Sequence, residues 1–263
     1  LQVVTRGYEA LTYQLVVEIN HRRKELADVK VRQAIAHAID KTFVVNTIFL
    51  GYATVATGPV PQNATEFYTA DVPIYDFDPA RAEALLDEAG YPKGANGIRF
   101  SLNLLPAPYF NETRQFGDYL RQALAVVGID ARVVNNDSAA HQKAVYTDHA
   151  FDLAIAPPVF RGDPAISTTI LVRSGVPDGV PFSNQGGYAN PSLDALIDKA
   201  AVTLDTAERI ALYKDFQRDV AADLPLINVA EWSFTSVASD RLENIANNPR
   251  WAVSGWADAS LTP

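Results

Sequence analysis

The sequence predicts an α/β fold in which helices pack against a central sheet. Segments with the alternation of a β-strand are followed repeatedly by segments with the period of an amphipathic helix. Gly and Pro residues punctuate the chain between these segments. The chain has 263 residues, which is enough for one large domain or two small ones. An α/β layered domain therefore accounts for the pattern.

Three elements are predicted over the first 51 residues. Residues 13–20 alternate as a strand, and an amphipathic helix follows. Asp40 is predicted to cap a second helix that ends at Gly51. Residues 52–77 are rich in Pro, Thr and Tyr and are predicted to form an ordered loop. The buried face of the first helix consists of Val31, Ala34, Ile35, Ala38 and Ile39.

The helix over residues 79–89 has strong signals at both ends. Asp78 is a predicted N-cap, and Pro79 loses no hydrogen bond at the first helical position. Gly90 can adopt the left-handed conformation that ends a helix, and Pro92 prevents its continuation. The buried stripe is predicted to be Ala82, Leu85, Leu86 and Ala89. We expect this helix to be a packing element and not a site.

The rest of the chain continues the alternation, apart from one long irregular region. Residues 157–190 are punctuated by Gly and Pro, and a long loop in a compact domain is usually functional. Strands are predicted over 97–105, 129–134, 151–156 and 225–238, and helices over 111–128, 138–147, 191–204 and 206–224.

Composition excludes several classes of function. The formal net charge of −9 argues against a nucleic-acid partner, because phosphate binding needs a basic surface. The absence of Cys excludes disulfides, a thiolate nucleophile and cysteine metal sites. Common nucleophile, phosphate-binding and dinucleotide motifs are absent, so we expect no cofactor and no enzymatic activity. The spacing of His21, His37, His141 and His149 matches no metal motif.

The sequence PVFRGDP, residues 158–164, contains the main candidate site. It follows a short buried strand, and loops at the carboxyl ends of strands line the crevices of α/β sheets. Phe160 could form an apolar wall, Arg161 could bind an anion, and Asp163 could bind an ammonium group. The alternative is a surface turn between Arg161 and Asp163, with Asp163-Pro164 capping a helix.

Five blocks, in the same order, resemble the extracytoplasmic solute-binding proteins of ABC transporters, family 5. This branch handles peptides, nickel chelates, opines and some oligosaccharides. The resemblance covers roughly residues 13–238 and is specific because the blocks occur together. The blocks are DVKVRQAIAHAID (28–40), LGYATVATGPVP (50–61), YDFDPARAEALLDEAGYPKG (75–94), YANPSLDALI (188–197) and AERIALYKDFQRDVAADLPLI (207–227).

The resemblance implies a type II periplasmic-binding-protein-like lobe, with a mixed sheet flanked by helices. Family members are about twice as long and form a two-lobed clamp, so we expect this chain to be the C-terminal portion, with the N-terminal lobe missing. Residues 1–20 are then predicted to be a crossover strand from that lobe, 21–230 the C-terminal α/β lobe, and 231–263 a segment returning toward the first lobe. Exposed apolar side chains are expected at the cleft face and the terminal strands.

The resemblance also implies which residues contact a ligand. Asp163 matches the aspartate that takes the amino terminus of the ligand in peptide binders, and Phe160 lies where the family often has Trp. The loop 106–111 tends to border the cleft, which makes Tyr109 a candidate. Arg173 and Asn184 are further candidates. Arg161 is not general in the family and favours an acidic solute.

We therefore expect the substrate-binding component of an ABC importer. It would capture a small, peptide-like solute in a cleft between lobes and deliver it to a membrane permease, without covalent chemistry. The expected location is the periplasm, or the outer face of the membrane with a lipid anchor. An opine-like, sugar or other acidic solute is the alternative within this class. A hydrolase and a chaperone-like interaction role are the alternatives from other classes.

Overall fold

The computed structural model describes residues 1–8, 10–250 and 256–262 of the chain. Strands and helices alternate along most of it, as the sequence predicts. The strands are β1 (Gln2–Val4), β2 (Thr12–Ile19), β3 (Ala53–Val55), β4 (Phe100–Pro106), β5 (Ile129–Val133), β6 (Leu153–Ala156), β7 (Val159–Phe160), β8 (Leu226–Trp232), β9 (Ser236–Ala238), β10 (Leu242–Glu243) and β11 (Ser260–Leu261).

The helices range from single turns to five turns in length. A π-helical turn follows α3 at Val44–Ile48, and another follows α6 at Lys143–Thr147. Short 3₁₀ turns occupy Pro164–Ile166 and Thr169–Leu171. The α-helices are α1 (Lys24–Ala27), α2 (Val29–His37), α3 (Lys41–Phe43), α4 (Pro79–Glu88), α5 (Asn111–Val126), α6 (Ser138–Gln142), α7 (Pro191–Val202) and α8 (Thr206–Asp223).

Among the described residues, seven strands form one mixed sheet in the order β3–β8–β2–β6–β4–β5, with β7 paired to the start of β2. Strand β4 runs parallel to β5 and β6, whereas β2 runs antiparallel to β6, β7 and β8. The carboxyl ends of β4, β5 and β6 therefore meet at one edge of the sheet. Strand β2 begins at that same edge, and β8 ends there.

Both faces of the sheet are buried by helices. Leu15, Val17 and Ile19 of β2 pack into a core with α2, α4 and α5. Val16 faces the other way and packs into a second core with α7 and α8. Successive side chains of a strand point to opposite faces, so a central strand covered on both sides reads as a continuous apolar run. This explains why the run LVV lies at the centre of the fold.

Helix α4 has the predicted ends. The carboxylate of Asp78 accepts a hydrogen bond from the backbone N–H of Arg81 at 2.9 Å. Gly90 has a φ of +86°, the left-handed conformation that ends a helix. Leu85 and Leu86 are buried against α2, which contributes about 1.5–3 kcal/mol for each side chain.

Two predicted elements differ from the structure. Strand β3 lies inside residues 52–77, which were expected to be a loop, and it pairs with β8 at the sheet edge. Residues 225–238 were expected to be one strand but form β8 and β9, which belong to different sheets. Both differences depend on pairing with strands that are distant in sequence.

The two terminal segments pack on each other outside the main sheet. Strand β1 pairs with β9, and β10 pairs with β11. Val4, Tyr8, Ile245 and Ala246 form a small core between them. Val3 and Val237 of the first pair remain exposed, as expected for the terminal strands. The division at residues 1–20, 21–230 and 231–263 stays a prediction, and residues 9, 251–255 and 263 lie outside the described part.

None of the helices in the described residues combines the length and the apolar character needed to cross a lipid bilayer.

Candidate functional site

A groove lies at the edge of the sheet where β4 and β6 end. Its cavity volume is about 440 Å³. Loops that follow the carboxyl ends of parallel strands diverge and leave a crevice, the usual ligand site in open α/β sheets. The groove is lined by Tyr13, Tyr109, Phe110, Pro157, Pro158, Val159, Arg161, Ile166, Ser167, Ile170, Pro181 and Phe182.

Arg161 is the one charged side chain in the lining of the groove, as far as the described residues show. Its residue is exposed, and its backbone carbonyl accepts a weak hydrogen bond from Arg250 at 3.4 Å. No hydrogen bond or ion pair engages its guanidinium within the described chain. The planar guanidinium is therefore available to bind a carboxylate or phosphate through two parallel hydrogen bonds.

Tyr109 lies in the groove as expected from the sequence. It belongs to the turn between β4 and α5, and Gln142 donates a hydrogen bond to its hydroxyl at 3.3 Å. Its ring packs edge-on against His141, with 6.0 Å between ring centroids, and tilted against Phe182 at 6.3 Å. These contacts hold the Tyr109 ring in place, so it can present a fixed surface to a ligand.

Phe160 is not a wall of the groove. Its side chain is 1% exposed and packs in the core formed by Val16, α7 and α8. The expectation of an apolar wall at this position was wrong because β7 alternates. Val159 and Arg161 face the groove, and Phe160 between them faces the core.

Asp163 does not line the groove, and its carboxylate already has partners. It caps the 3₁₀ turn by accepting from the backbone N–H of Ala165 at 2.9 Å. It also pairs with Arg209 at 2.8 Å, and this hydrogen bond raises the pKa of Arg209. The alternative predicted from the sequence, in which Asp163 caps a helical turn, is therefore present. The arginine that pairs with Asp163 is Arg209 and not Arg161.

Arg173 and Asn184 lie outside the groove. Arg173 forms an ion pair with Asp198 of α7. The amide of Asn184 donates to the backbone carbonyls of Arg173 at 3.0 Å and Tyr188 at 2.7 Å, which braces the irregular segment before α7. The structure thus brings Tyr109 and Arg161 together and places the other candidates elsewhere.

A cluster of aromatic rings, which the sequence pattern does not predict, lies at the same end of the sheet. Tyr13 of β2 stacks on Trp232 of β8 at 5.5 Å between ring centroids. Phe110 and Phe234 approach the Tyr13 ring edge-on at 5.5 Å and 4.9 Å. We name Tyr13, Phe110, Trp232 and Phe234 the aromatic cluster. Tyr13 and Phe110 also line the groove, so the cluster extends its apolar surface.

Phe182 covers the groove from the irregular segment. It has a φ of +56°, which is rare for a residue with a bulky side chain. Its ring packs on Tyr146 at 5.9 Å, and Gly179 nearby donates a hydrogen bond to the carbonyl of Tyr146. A positive φ at an exposed aromatic side chain marks a position where the surrounding structure fixes the backbone.

The residues behind the groove carry little charge at neutral pH. Burial raises the pKa of Glu18 to about 8, and neither of its carboxyl oxygens has a hydrogen-bond partner in the described chain. Burial also lowers the pKa of His141 and raises the pKa of Tyr146. Each of these groups is therefore neutral near pH 7, and Arg161 provides the charge that a ligand would meet.

No group of three or more His, Cys, Asp or Glu side chains in the described ranges could hold a metal ion.

The architecture is that of a type II periplasmic-binding-protein-like lobe, with a mixed sheet, helices on both faces and a groove at the strand ends. Residues 4–179 match the family described as bacterial extracellular solute-binding proteins, family 5 Middle. The chain belongs to this family. The family and the fold class predicted from the sequence are both confirmed.

Individual relatives agree with this assignment. The chain is 31% identical over 255 residues to the glutathione-binding protein GsiB of Pectobacterium atrosepticum, a match that covers 94% of this chain and 47% of that protein. HbpA2 from Haemophilus parasuis superposes with a TM-score of 0.83 and 26% identity, covering 100% of this chain and 50% of that one. The chain thus spans about half the length of the curated relatives it matches.

A third similarity concerns the fold alone. The oligopeptide-binding protein AppA from Bacillus subtilis, solved in complex with a nonapeptide, has a TM-score of 0.83 and 20% identity. The match covers 100% of this chain and 52% of that chain.

Proposed function

We propose that this chain forms one side of the solute-binding site of an ABC importer's extracytoplasmic binding protein. The groove supplies aromatic surface from Tyr109, Phe182 and the aromatic cluster, and one cation from Arg161. The proposed solute is small and peptide-like, and it presents a carboxylate to Arg161. The single observation that carries the proposal is the guanidinium of Arg161, which has no partner among the described residues and is the one charged group that they contribute to the groove lining.

The comparisons support a solute with this chemistry. A relative at 31% identity is named for glutathione binding, and glutathione is a small peptide with free carboxylates. An opine-like or other acidic solute would also present a carboxylate. The calorimetry described below compares such a solute with peptides and so distinguishes the two classes. The proposal includes no turnover of the solute, in keeping with a family of binding proteins.

The proposed partners follow from the family and from the length of the relatives. A first lobe would close over the groove, because relatives of about twice this length contain a further half. The closed protein would deliver its solute to a membrane permease. The proposed location is outside the cytoplasmic membrane, where family members act.

Substitution of Arg161 by Ala in the protein with both lobes tests the proposal. We expect the free energy of binding of a carboxylate-bearing peptide to weaken by about 1–3 kcal/mol, because a charge-assisted hydrogen bond is lost. Isothermal titration calorimetry with glutathione, dipeptides, tripeptides and an opine measures the effect and ranks the solutes.

Arg173→Ala is the matched control, because Arg173 pairs with Asp198 outside the groove. Its affinities should equal those of the unsubstituted protein. If Arg161→Ala leaves the affinity for every acidic solute unchanged, Arg161 does not bind the solute and the proposal loses its main support.

A further inference from the structure

A small polar pocket lies at the edge of the main sheet where β8 ends and β2 and β3 begin. Its volume is about 130 Å³, and it shares no lining residue with the groove. Its size and lining fit a small polar group. Hydroxyl, amide and carboxyl side chains supply most of the lining, from Thr12, Thr54, Gln62, Asn63, Glu231 and Ser233.

Strand pairing fixes the position of Glu231 in this pocket. Glu231 of β8 lies directly opposite Thr54 of β3 on one side and Gln14 of β2 on the other. Residues opposite each other in antiparallel strands point to the same face of the sheet, with their Cβ atoms about 4.5–5.5 Å apart. The carboxyl group of Glu231 and the hydroxyl group of Thr54 are therefore neighbours in the pocket lining.

The carboxylate of Glu231 has hydrogen-bond donors but no cationic partner. It accepts from the backbone N–H of Gln62 at 2.7 Å and from the side-chain amide of Gln62 at 2.9 Å. An ionised carboxylate has about four acceptor positions, so two remain available. Within the described part of the chain, no Lys or Arg lines the pocket, and none acts on the carboxyl group as a counter-charge.

This arrangement favours a positively charged hydrogen-bond donor. Burial raises the pKa of Glu231 to about 7, and the hydrogen bonds from Gln62 oppose that shift. A cation in the pocket would favour the ionised carboxylate further. An ammonium group carries three N–H donors, and the carboxylate together with the hydroxyl groups of Thr54 and Ser233 supplies acceptors for them.

We propose that this pocket binds a primary ammonium group. One N–H of the ligand donates to the carboxylate of Glu231, and neighbouring hydroxyl oxygens accept from the others. An anion would be repelled by Glu231, whereas a quaternary ammonium group has no N–H to donate. This inference rests on the pocket alone and does not depend on what the groove binds.

Titration of the 263-residue chain with methylammonium tests the proposal. The titration is done at pH 8 and constant ionic strength, and the side-chain amide signal of Gln62 is followed by NMR because this amide donates to Glu231. We expect a saturable shift with a dissociation constant of order 10 mM, since a ligand of two non-hydrogen atoms has a low ceiling on affinity. Tetramethylammonium should give no saturable shift.

Two variants locate the site. Glu231→Gln keeps the shape of the side chain and removes its charge, and we expect the affinity for methylammonium to fall roughly 10- to 100-fold. Thr54→Val removes one hydroxyl acceptor and should weaken binding roughly 2- to 10-fold. Circular dichroism checks that both variants are folded. Glu18→Gln is the matched control, because Glu18 is another buried carboxyl group and lines neither the pocket nor the groove.

Three results would overturn the proposal. One is potassium or tetramethylammonium shifting the Gln62 signal with the same affinity as methylammonium, which would define a general cation site. Another is a folded Glu231→Gln variant that binds methylammonium as tightly as the unsubstituted chain does. The third is the absence of any saturable shift in the unsubstituted chain, which would show that the pocket holds only water.

Discussion

Glu18 is a carboxyl group in the interior without a hydrogen-bond partner in the described chain. It lies on the central strand β2, and burial raises its pKa from 4.5 to about 8. The unfolded chain releases this proton above pH 4.5, whereas the folded chain keeps it up to about pH 8. The contribution of Glu18 to the free energy of unfolding therefore decreases as the pH rises between these values, by about 1.4 kcal/mol for each pH unit.

Replacement of Glu18 by Gln removes this titration and keeps the shape of the side chain. We expect the variant to be more stable than the unsubstituted chain at pH 8 and to differ far less at pH 5. Urea unfolding at a series of pH values measures the difference. The pKa of Glu231 is raised to about 7, and the pKa of His21 is lowered to about 4. Both groups are present in the variant and in the unsubstituted chain, so their contributions to the pH dependence of stability cancel in the comparison. Equal pH profiles would show that Glu18 is ionised in the folded state.

Arg161 and Asp163 lie in the same short loop but have different roles, one in the groove and one in holding the loop. Arg161 points into the groove, whereas Asp163 caps a 3₁₀ turn and pairs with Arg209 of α8. The guanidinium of Arg209 also lies over the ring of Tyr213 at 4.8 Å. Asp163 thus fastens the loop to α8 and fixes the position from which Arg161 reaches the groove.

Helix α4 shows that local signals can specify an element completely. Its N-cap, its first-turn proline and its terminal glycine lie within fifteen residues of each other and need no distant partner. These are the features that the sequence predicts well. Its function is to pack against α2, and it contributes no residue to the groove.

Removal of either end signal should weaken α4 without changing solute binding. We expect Asp78→Ala to lower the free energy of unfolding by about 1 kcal/mol, because the backbone N–H of Arg81 loses its acceptor. Gly90→Ala should also lower the free energy of unfolding by about 1 kcal/mol, because the φ of +86° at this position disfavours any residue with a side chain. Urea unfolding and calorimetry measure the two effects separately.

Asp258→Ala is a suitable control, because Asp258 is exposed and caps no helix in the described part of the chain. It should change the stability by less than about 0.5 kcal/mol. A change in solute affinity with Asp78→Ala would contradict the assignment of α4 to packing alone.

Elements formed by distant pairing are harder to predict. Strand β3 has three residues in a Pro- and Thr-rich segment, and only its pairing with β8 makes it a strand. The two-residue strand β7 was too short for its alternation to be recognised, so Phe160 was assigned to the wrong side. The aromatic cluster was missed because Tyr13, Phe110 and Trp232 are far apart in sequence and meet only when the sheet has formed.

The complete groove is expected to need a second lobe. Tight small-molecule sites bury most of the ligand surface, and the proposed groove would contact a solute from one side only. We expect the 263-residue chain to bind the solute of the two-lobed protein at least roughly 100-fold more weakly, because about half of the contacts are absent. Calorimetry with the same solute on both proteins measures the ratio. A submicromolar affinity for the 263-residue chain would contradict this expectation.

The chain enters and leaves the main sheet at adjacent positions on one edge. Strand β2 begins at this edge and β8 ends there, with Tyr13 opposite Trp232, and the segments beyond pair again as β1 and β9. A single connecting strand could relieve torsion by rotation about individual bonds, but two adjacent strands restrain each other. Any movement of the terminal strands relative to the main sheet must therefore bend both connections together, at the point where the rings of Tyr13, Trp232 and Phe234 pack on each other.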